Sequence, residues 1–325
     1  MQRNPHSYQI ATGYRTFYSL SLIYQPITKK RLFFLKKYYC NRSAIEMGKF
    51  AGWNLVGTFS GIAGNYGTGL LMNHVFGTVV IAAQTIANQI GGALNVFSSN
   101  MIKAINPVIV KAEGEGKRSN MLDLSLAGCR YSFFLYTLFA IPCLLEADYV
   151  LKLWLKNVPD WAVLFCRLQI LRTMLEQLTN ALGMALMAEG HIMKINIVNL
   201  VLSILTFISL YLLYSFGFLP YWHFIISIIF MVIIESCFKI YYCSRYCHLS
   251  IKYFIRNVFV RCVLCAVIPF LVGLYFVSEF EGQGFLRLCL TSVICTTILI
   301  MVLFSIGMNK QEKNLIVRNM FTNMH

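Results

Sequence analysis

The stretch GWNLVGTFSGIAGNYGTGLLM, Gly52 to Met72, is apolar enough to cross a bilayer, yet it holds glycine at 52, 57, 61, 64, 67 and 69 and asparagine at 54 and 65. A glycine inside a helix costs about 1 kcal/mol relative to alanine. A segment that keeps so many has another use for them. With about 100° of rotation per residue, Asn54, Gly57, Thr58, Gly61, Gly64, Asn65 and Thr68 fall within about 120° of one another. Leu55, Val56, Phe59, Ile62, Ala63, Tyr66 and Leu70 take the other side. A helix facing lipid all round has no need of this division. Small residues let a second helix or a ligand come close, and amides in hydrocarbon need partners or water. The expectation is a helix that bends and borders a passage.

Outward from this stretch the chain stays apolar. Its 325 residues are 58% hydrophobic and 13% charged, with a mean hydropathy of +0.63. Soluble domains carry roughly 25% charged residues. Runs long enough to cross a hydrocarbon core, about 20 helical residues, recur at 50–73, 79–106, 120–144, 161–187, 192–215, 221–243, 256–278 and 285–307. They are continuous rather than alternating, which selects helices over barrel strands. The fold predicted is an all-α, polytopic bundle of about eight transmembrane helices. Residues 1–48 read as a basic tail, disordered or interfacial, because the run ending at Pro26 is too short to span.

The net charge of +15 would suggest nucleic acid in a soluble protein, but here its placement points to membrane topology. With the N-terminus in the cytoplasm, 22 of the 28 Lys and Arg lie on that side. Lys152, Lys156 and Arg287 lie opposite, and Arg130, Arg167 and Arg172 lie inside spans. This is the positive-inside pattern, and it puts both termini in the cytoplasm. Basic loops of this kind attract anionic membrane lipids, so no nucleic-acid partner is expected.

Two further spans repeat the amphipathic design of the first. Gln84, Asn88, Gly91, Asn95, Ser98, Ser99 and Asn106 share one helical face, opposite Ile86, Ile90, Ala93, Phe97 and Met101. Gln169, Arg172, Thr173, Glu176 and Asn180 share another. One such strip would mean tight packing with buried amide hydrogen bonds; three together point to a hydrated cavity. Candidate lining residues are Asn54, Asn65, Gln84, Asn88, Asn95, Ser99, Arg130, Gln169, Arg172, Glu176 and Asn180. Amides and hydroxyls suit sugars, and arginine suits phosphate. Arg172 and Glu176 are spaced to neutralise each other. Arg130 is placed either to snorkel or to meet an anionic headgroup. Glu235 with Lys239 reads as an ion pair, and His74 and His223 read as solvated loop residues.

Eight of the eleven cysteines fall in spans, where cysteine is a small apolar residue. The CVLC at 262–265 lacks the second pair or histidines of a zinc site. No nucleophile constellation, HExxH or phosphate loop stands out, so neither enzyme chemistry, metal nor cofactor is expected.

Three segments carry a family resemblance: FAGWNLVGTFSGI (50–62), AAQTIANQIGGALNVFSSNMIKAINPVIVKAEGEGK (82–117) and SFFLYTLFAIPCLLEADYVLKLWLKNVPDWAVLFCRL (132–168). In order and separation they resemble the second half of bacterial lipopolysaccharide and O-antigen flippases of the multidrug/oligosaccharidyl-lipid/polysaccharide exporter superfamily. The resemblance runs from about Phe50 onward and is strongest over 50–190. It implies twelve to fourteen helices in two pseudo-symmetric lobes about a V-shaped cavity. It also implies alternating-access export of a polyprenyl-diphosphate-linked oligosaccharide across the bacterial inner membrane. Arg130 and Arg172 would then meet the diphosphate. On this reading residues 49–245 are the second six-helix lobe, and 246–325 are two additional helices and a cytoplasmic tail. The first lobe is expected from another chain or a second copy. The rivals are a cation-coupled multidrug exporter, for which only Glu176 is a deep acidic group, a membrane enzyme, for which the outer loop at 145–160 is too short and apolar, and a non-functional fragment.

Overall fold

The structure is a computed structural model, and it describes residues 41–308 apart from 281 and 283. The basic-tail reading of 1–48 therefore falls largely outside the described residues. By internal contacts the chain divides into residues 1–53 and 54–325. The described part of the first unit is the opening of a helix.

The described residues form helices and no strands. In chain order they are α1 Asn41–Phe76, α2 Thr78–Gly114, α3 Arg118–Leu145, α4 Ala147–Trp154, α5 Ala162–Gln177, α6 Asn180–Ala188 and α7 Ile192–Ser215. Three more follow: α8 Trp222–Tyr246, α9 Ile251–Glu279 and α10 Phe285–Gly307. Six of these, α2, α3, α7, α8, α9 and α10, are long and apolar enough to cross a membrane. The chain is an all-α, multi-pass membrane protein.

Two expected spans are not among the six, each for a physical reason. Glycine and asparagine dilute the hydropathy of α1. The run at 161–187 is broken into α5 and α6 at Leu178–Thr179, where Thr179 leaves the helical region at φ −126. Both still run from one end of the bundle to the other, which is compatible with about eight traverses. At the lower end Glu113, Arg118, Glu189 and Tyr246 meet, so the α2–α3 link, the α6–α7 link and the end of α8 lie together. At the upper end Glu146 meets Arg287, and the Trp161 ring lies 6.2 Å from the Tyr221 ring, tilted by 36°. The α5–α6 pair starts beside Trp161 and finishes at Glu189.

The centre of the bundle is α3: 67% of its apolar stretch is buried, against 17–33% in the other five. It packs on α2, α5, α6, α9 and α10, so α9 and α10 join the same unit as α2 to α8. The core around it gathers Met121, Cys129, Phe133, Leu182, Leu186, Cys262 and Leu299. A second cluster holds Met72, Phe165, Leu210, Tyr214 and Phe224 near the upper end.

From residue 54 onward α1 runs parallel to α7. A Cβ built on Gly57 would touch Asn196, one on Gly64 would touch Ser203, and one on Gly67 would touch Phe207. Ser60 donates to Ser203 across 3.2 Å, and Phe76 meets Tyr214 edge-on. Gly77 then turns α1 into α2 in a single residue with φ +81, a conformation that favours glycine.

Candidate functional site

The Gly77 turn makes α1 and α2 an antiparallel hairpin, so residues equally distant from the turn face each other. Asn65, Tyr66, Gly69, Leu70 and Asn73 of α1 and Ile81, Gln84, Thr85, Asn88 and Gln89 of α2 line one cleft of about 690 Å³. Thr85, Asn88 and Gln89 are exposed and Gln84 is buried at its floor. Behind the floor, Gln84 Nε2 lies 3.1 Å from His223 Nε2. His223 is not the solvated loop residue expected. Tyr221 and Pro220 precede the first turn of α8, and that turn carries the imidazole into the Phe165–Phe224 cluster, where it is 8% exposed.

The polar face of α1 is divided. Gly57, Ser60 and Gly64 turn toward α7, and Ser60 and Thr68 are buried. Asn54, Gly61 and Asn65 stay exposed, Asn65 donating from Nδ2 to the Gly61 carbonyl at 3.0 Å. Leu55, Phe59 and Ile62 stand out at 51–71% exposure, while Tyr66 and Leu70, equally exposed, belong to the cleft lining beside Asn65. The helix thus has a side for α7, a side for the cleft and an apolar side for lipid.

The eleven residues of the expected cavity do not share one void. Asn65, Gln84 and Asn88 come together at the cleft. Asn95 and Gln169 lie instead in the α2–α5 contact. Asn95 Oδ1 accepts from Ser98 Oγ at 2.8 Å and from Gln177 Nε2 at 3.1 Å. A Cβ on Gly91 would stand 2.8 Å from Gln169. Here amides meet amides, as in close helix packing. Ser99 bonds back to the Val96 carbonyl, Asn54 is exposed on α1, and Asn180 opens α6 half-buried. Arg130 does not snorkel: it is 3% exposed on α3, its guanidinium 5.9 Å from the Tyr131 ring. Arg172 and Glu176 form no ion pair within 4 Å. Both are half-buried, and the Arg172 Nε is buried without a partner.

The break between α5 and α6 builds a second polar locus that the helical-face reading did not single out. Thr179 Oγ1 stands 2.8 Å from Ser236 Oγ of α8. One turn on, Lys239 pairs with Glu235 at 2.7 Å, each 13% exposed. The expected pair is therefore an inward-facing one. The lower end closes with a third group. Arg118 donates to Glu113 at 2.9 Å, to Glu189 at 3.2 Å and to the Tyr246 carbonyl at 3.1 Å. His191 stands 3.1 Å from Glu189, and Lys194 bonds the Tyr246 hydroxyl.

Asn73, Thr85 and Gln89 were legible as polar, but each lies one helical step off the strips drawn from the sequence. Gln177, Thr179 and Ser236 carry no signal beyond polarity in an apolar run. A scan against protein-family models, a search of curated proteins and a search of solved structures each return no match.

Proposed function

We propose that this bundle serves in the export of a lipid-linked oligosaccharide across the bacterial inner membrane, by alternating access, with both termini in the cytoplasm. The observation that supports it is the α1–α2 cleft, where Asn65, Asn73, Gln84, Thr85, Asn88 and Gln89 converge. Their amides and hydroxyl offer donors and acceptors together, the chemistry that hydroxyl-rich sugars pair with. The lining also carries Tyr66, Leu70 and Ile81, and an apolar substrate resting on them would still have to repay the desolvation of the amides beside them. The exposed apolar side of α1 keeps the same helix in contact with lipid, so a glycan in the cleft and a polyprenyl tail outside it can be held at once. Arg172 supplies a cationic group for the diphosphate. The glycine and serine contact with α7 lets α1 shift as the passage opens and closes. A complementary lobe, from another chain or a second copy, completes the passage.

A cation-coupled drug exporter is the second reading, favoured by Glu176, a half-buried carboxylate with no ion pair among the described residues. The two separate in proteoliposomes. The full chain, alone and with its candidate partner lobe, is reconstituted with a fluorescent polyprenyl-diphosphate oligosaccharide, and transbilayer movement is read by quencher protection. Movement that falls in Asn88→Leu and Thr85→Val supports glycan export. Movement of cationic dyes, with none of the glycolipid, overturns it.

A further inference from the structure

α5 and α9 each pack on α3, and the three helices enclose a second groove of about 510 Å³ that shares no residue with the α1–α2 cleft. Ala140, Ile141 and Ile170 make its floor, and all three are buried. Leu171 of α5 and Val267 and Leu274 of α9 make its rims, at 38–48% exposure. A trough buried at its base and bare along its edges opens sideways, toward the surface that meets lipid. Among the described residues of its lining, Arg167 alone has a polar side chain.

The cation and the trough are stacked along the membrane normal. Trp161, Tyr221 and Trp222 gather at the upper end, and aromatic residues of this kind sit at membrane interfaces. Arg167 follows Trp161 along α5, about 9 Å further down at 1.5 Å per residue. Side chains on a helix lean toward its N-terminus, so the guanidinium reaches back up toward that interface. Met174 and Ala266 are the lowest lining residues, and beneath them Leu178, Leu182 and Cys262 close the core. From Arg167 to Met174 the groove descends about 10 Å. One leaflet contributes roughly 15 Å to the hydrocarbon core, so the groove lies within a single leaflet.

These dimensions select the ligand. A blind apolar trough of that depth takes an acyl chain, whereas a long prenyl chain would overrun its closed lower end. A guanidinium at headgroup depth takes a phosphate, to which it presents two parallel donors. Arg167 is exposed, and among the described residues it has no ion pair. The carboxylates of Glu146 and Asp148 at this end are held by Arg287 and Lys152 instead. We propose that the groove binds an anionic phospholipid of the upper leaflet, one acyl chain lying between α5 and α9 and the phosphate resting on Arg167. A head group with no ammonium of its own leaves the phosphate charge to the arginine, so anionic lipids gain over zwitterionic ones. The chain fills the space between α5 and α9 and holds both against α3. The site does not depend on glycan export, because lipid binding is read on the protein itself.

The test reconstitutes the full chain in phosphatidylcholine liposomes with a trace of phosphatidylglycerol that carries a diazirine midway along one acyl chain. After illumination, cross-linked residues are mapped by mass spectrometry, and Leu171, Val267 and Phe270 are the expected sites. Unlabelled phosphatidylglycerol should displace the label at severalfold lower concentration than phosphatidylethanolamine. Arg167→Gln should bring the two competitors level while labelling persists. Leu171→Trp, which fills the groove from its rim, should cut labelling of Val267 and Phe270 severalfold. Equal displacement by the two lipids on the native chain, or a preference that survives Arg167→Gln, overturns the proposal. So does label spread evenly onto exposed residues elsewhere, such as Leu212 and Val293, or displacement achieved best by a polyprenyl phosphate. Site and selectivity are both read on the native chain, so a variant that fails to fold leaves the proposal open to refutation.

Discussion

Arg287 donates from Nη2 to Glu146 Oε2 at 2.8 Å, joining the first turn of α10 to the end of α3 across 141 residues. The two side chains are 10% and 1% exposed, so the pair is sealed from solvent. Sequence placed Arg287 on the outer side with Lys152 and Lys156; the fold makes it a clasp between the last hairpin and the central helix. Removing one member of a buried pair leaves the other charged and alone, at a cost of about 3–5 kcal/mol. Arg287→Met should lower the melting temperature in detergent sharply. Replacing both residues, Glu146→Leu with Arg287→Met, should recover most of it. A double variant as unstable as the single one would show that the charge left behind is not the cause.

Close approach of α1 to α7 rests on Gly57. A Cβ there would stand 2.5 Å from Asn196 Oδ1, whereas one on Gly61 meets nothing within 4 Å. Gly57→Ala should destabilise by about 1–3 kcal/mol, the usual range for overpacking. Gly61→Ala should be neutral or gain up to about 1 kcal/mol from helix propensity. Thermal unfolding of the two variants side by side checks this, and equal melting temperatures would count against the α1–α7 contact.

At the lower end, Arg118 stands between Glu113 and Glu189, whose side chains are 15% and 12% exposed. Arg118→Met leaves two largely dehydrated carboxylates facing each other, with His191 the remaining neighbour of Glu189. Losing hydrogen bonds to charged groups costs about 1.5–3 kcal/mol, with the lower part of that range expected because Arg118 itself is 40% exposed. Limited proteolysis at the 114–118 and 188–192 links should quicken in Arg118→Met and slow again when Glu189→Gln is added.

The membrane crossings were legible because a bilayer imposes its solvent on whole stretches, and six of the eight runs appear as uninterrupted apolar helices. Partners were not. The helical wheel of 52–72 correctly set small and polar residues against large apolar ones. It could not show that Gly57 and Gly64 would turn to α7 while Asn65 turned to α2, since angle on a helix says nothing about what stands opposite. The break at Leu178–Thr179 was hidden for a different reason. No glycine or proline marks it, and the Thr179 hydroxyl is engaged by Ser236 rather than by a capping bond of α6. His223 was misread because a single histidine at the junction of two spans looks like a loop residue until Gln84, 139 residues away, is seen beside it.

The three-sided character of α1 can be read directly by chemistry. Asn65 and Asn73 line the cleft, whereas Leu55 and Phe59 are 71% and 70% exposed on the apolar side. If that side meets acyl chains, a thiol placed there stays protonated, because a thiolate in hydrocarbon is heavily penalised, and the thiolate is the reactive form. In a background cleared of native cysteines, Asn65→Cys and Asn73→Cys should react quickly with a charged, membrane-impermeant reagent, while Leu55→Cys and Phe59→Cys react slowly in membranes and quickly once detergent replaces lipid. Asn88→Cys on the facing helix should follow Asn65→Cys, and a disulfide between Asn65→Cys and Asn88→Cys would place both walls of the cleft together. Fast reaction at Leu55→Cys and Phe59→Cys in intact membranes would instead give α1 a second wet side, and the passage would have to be redrawn around it.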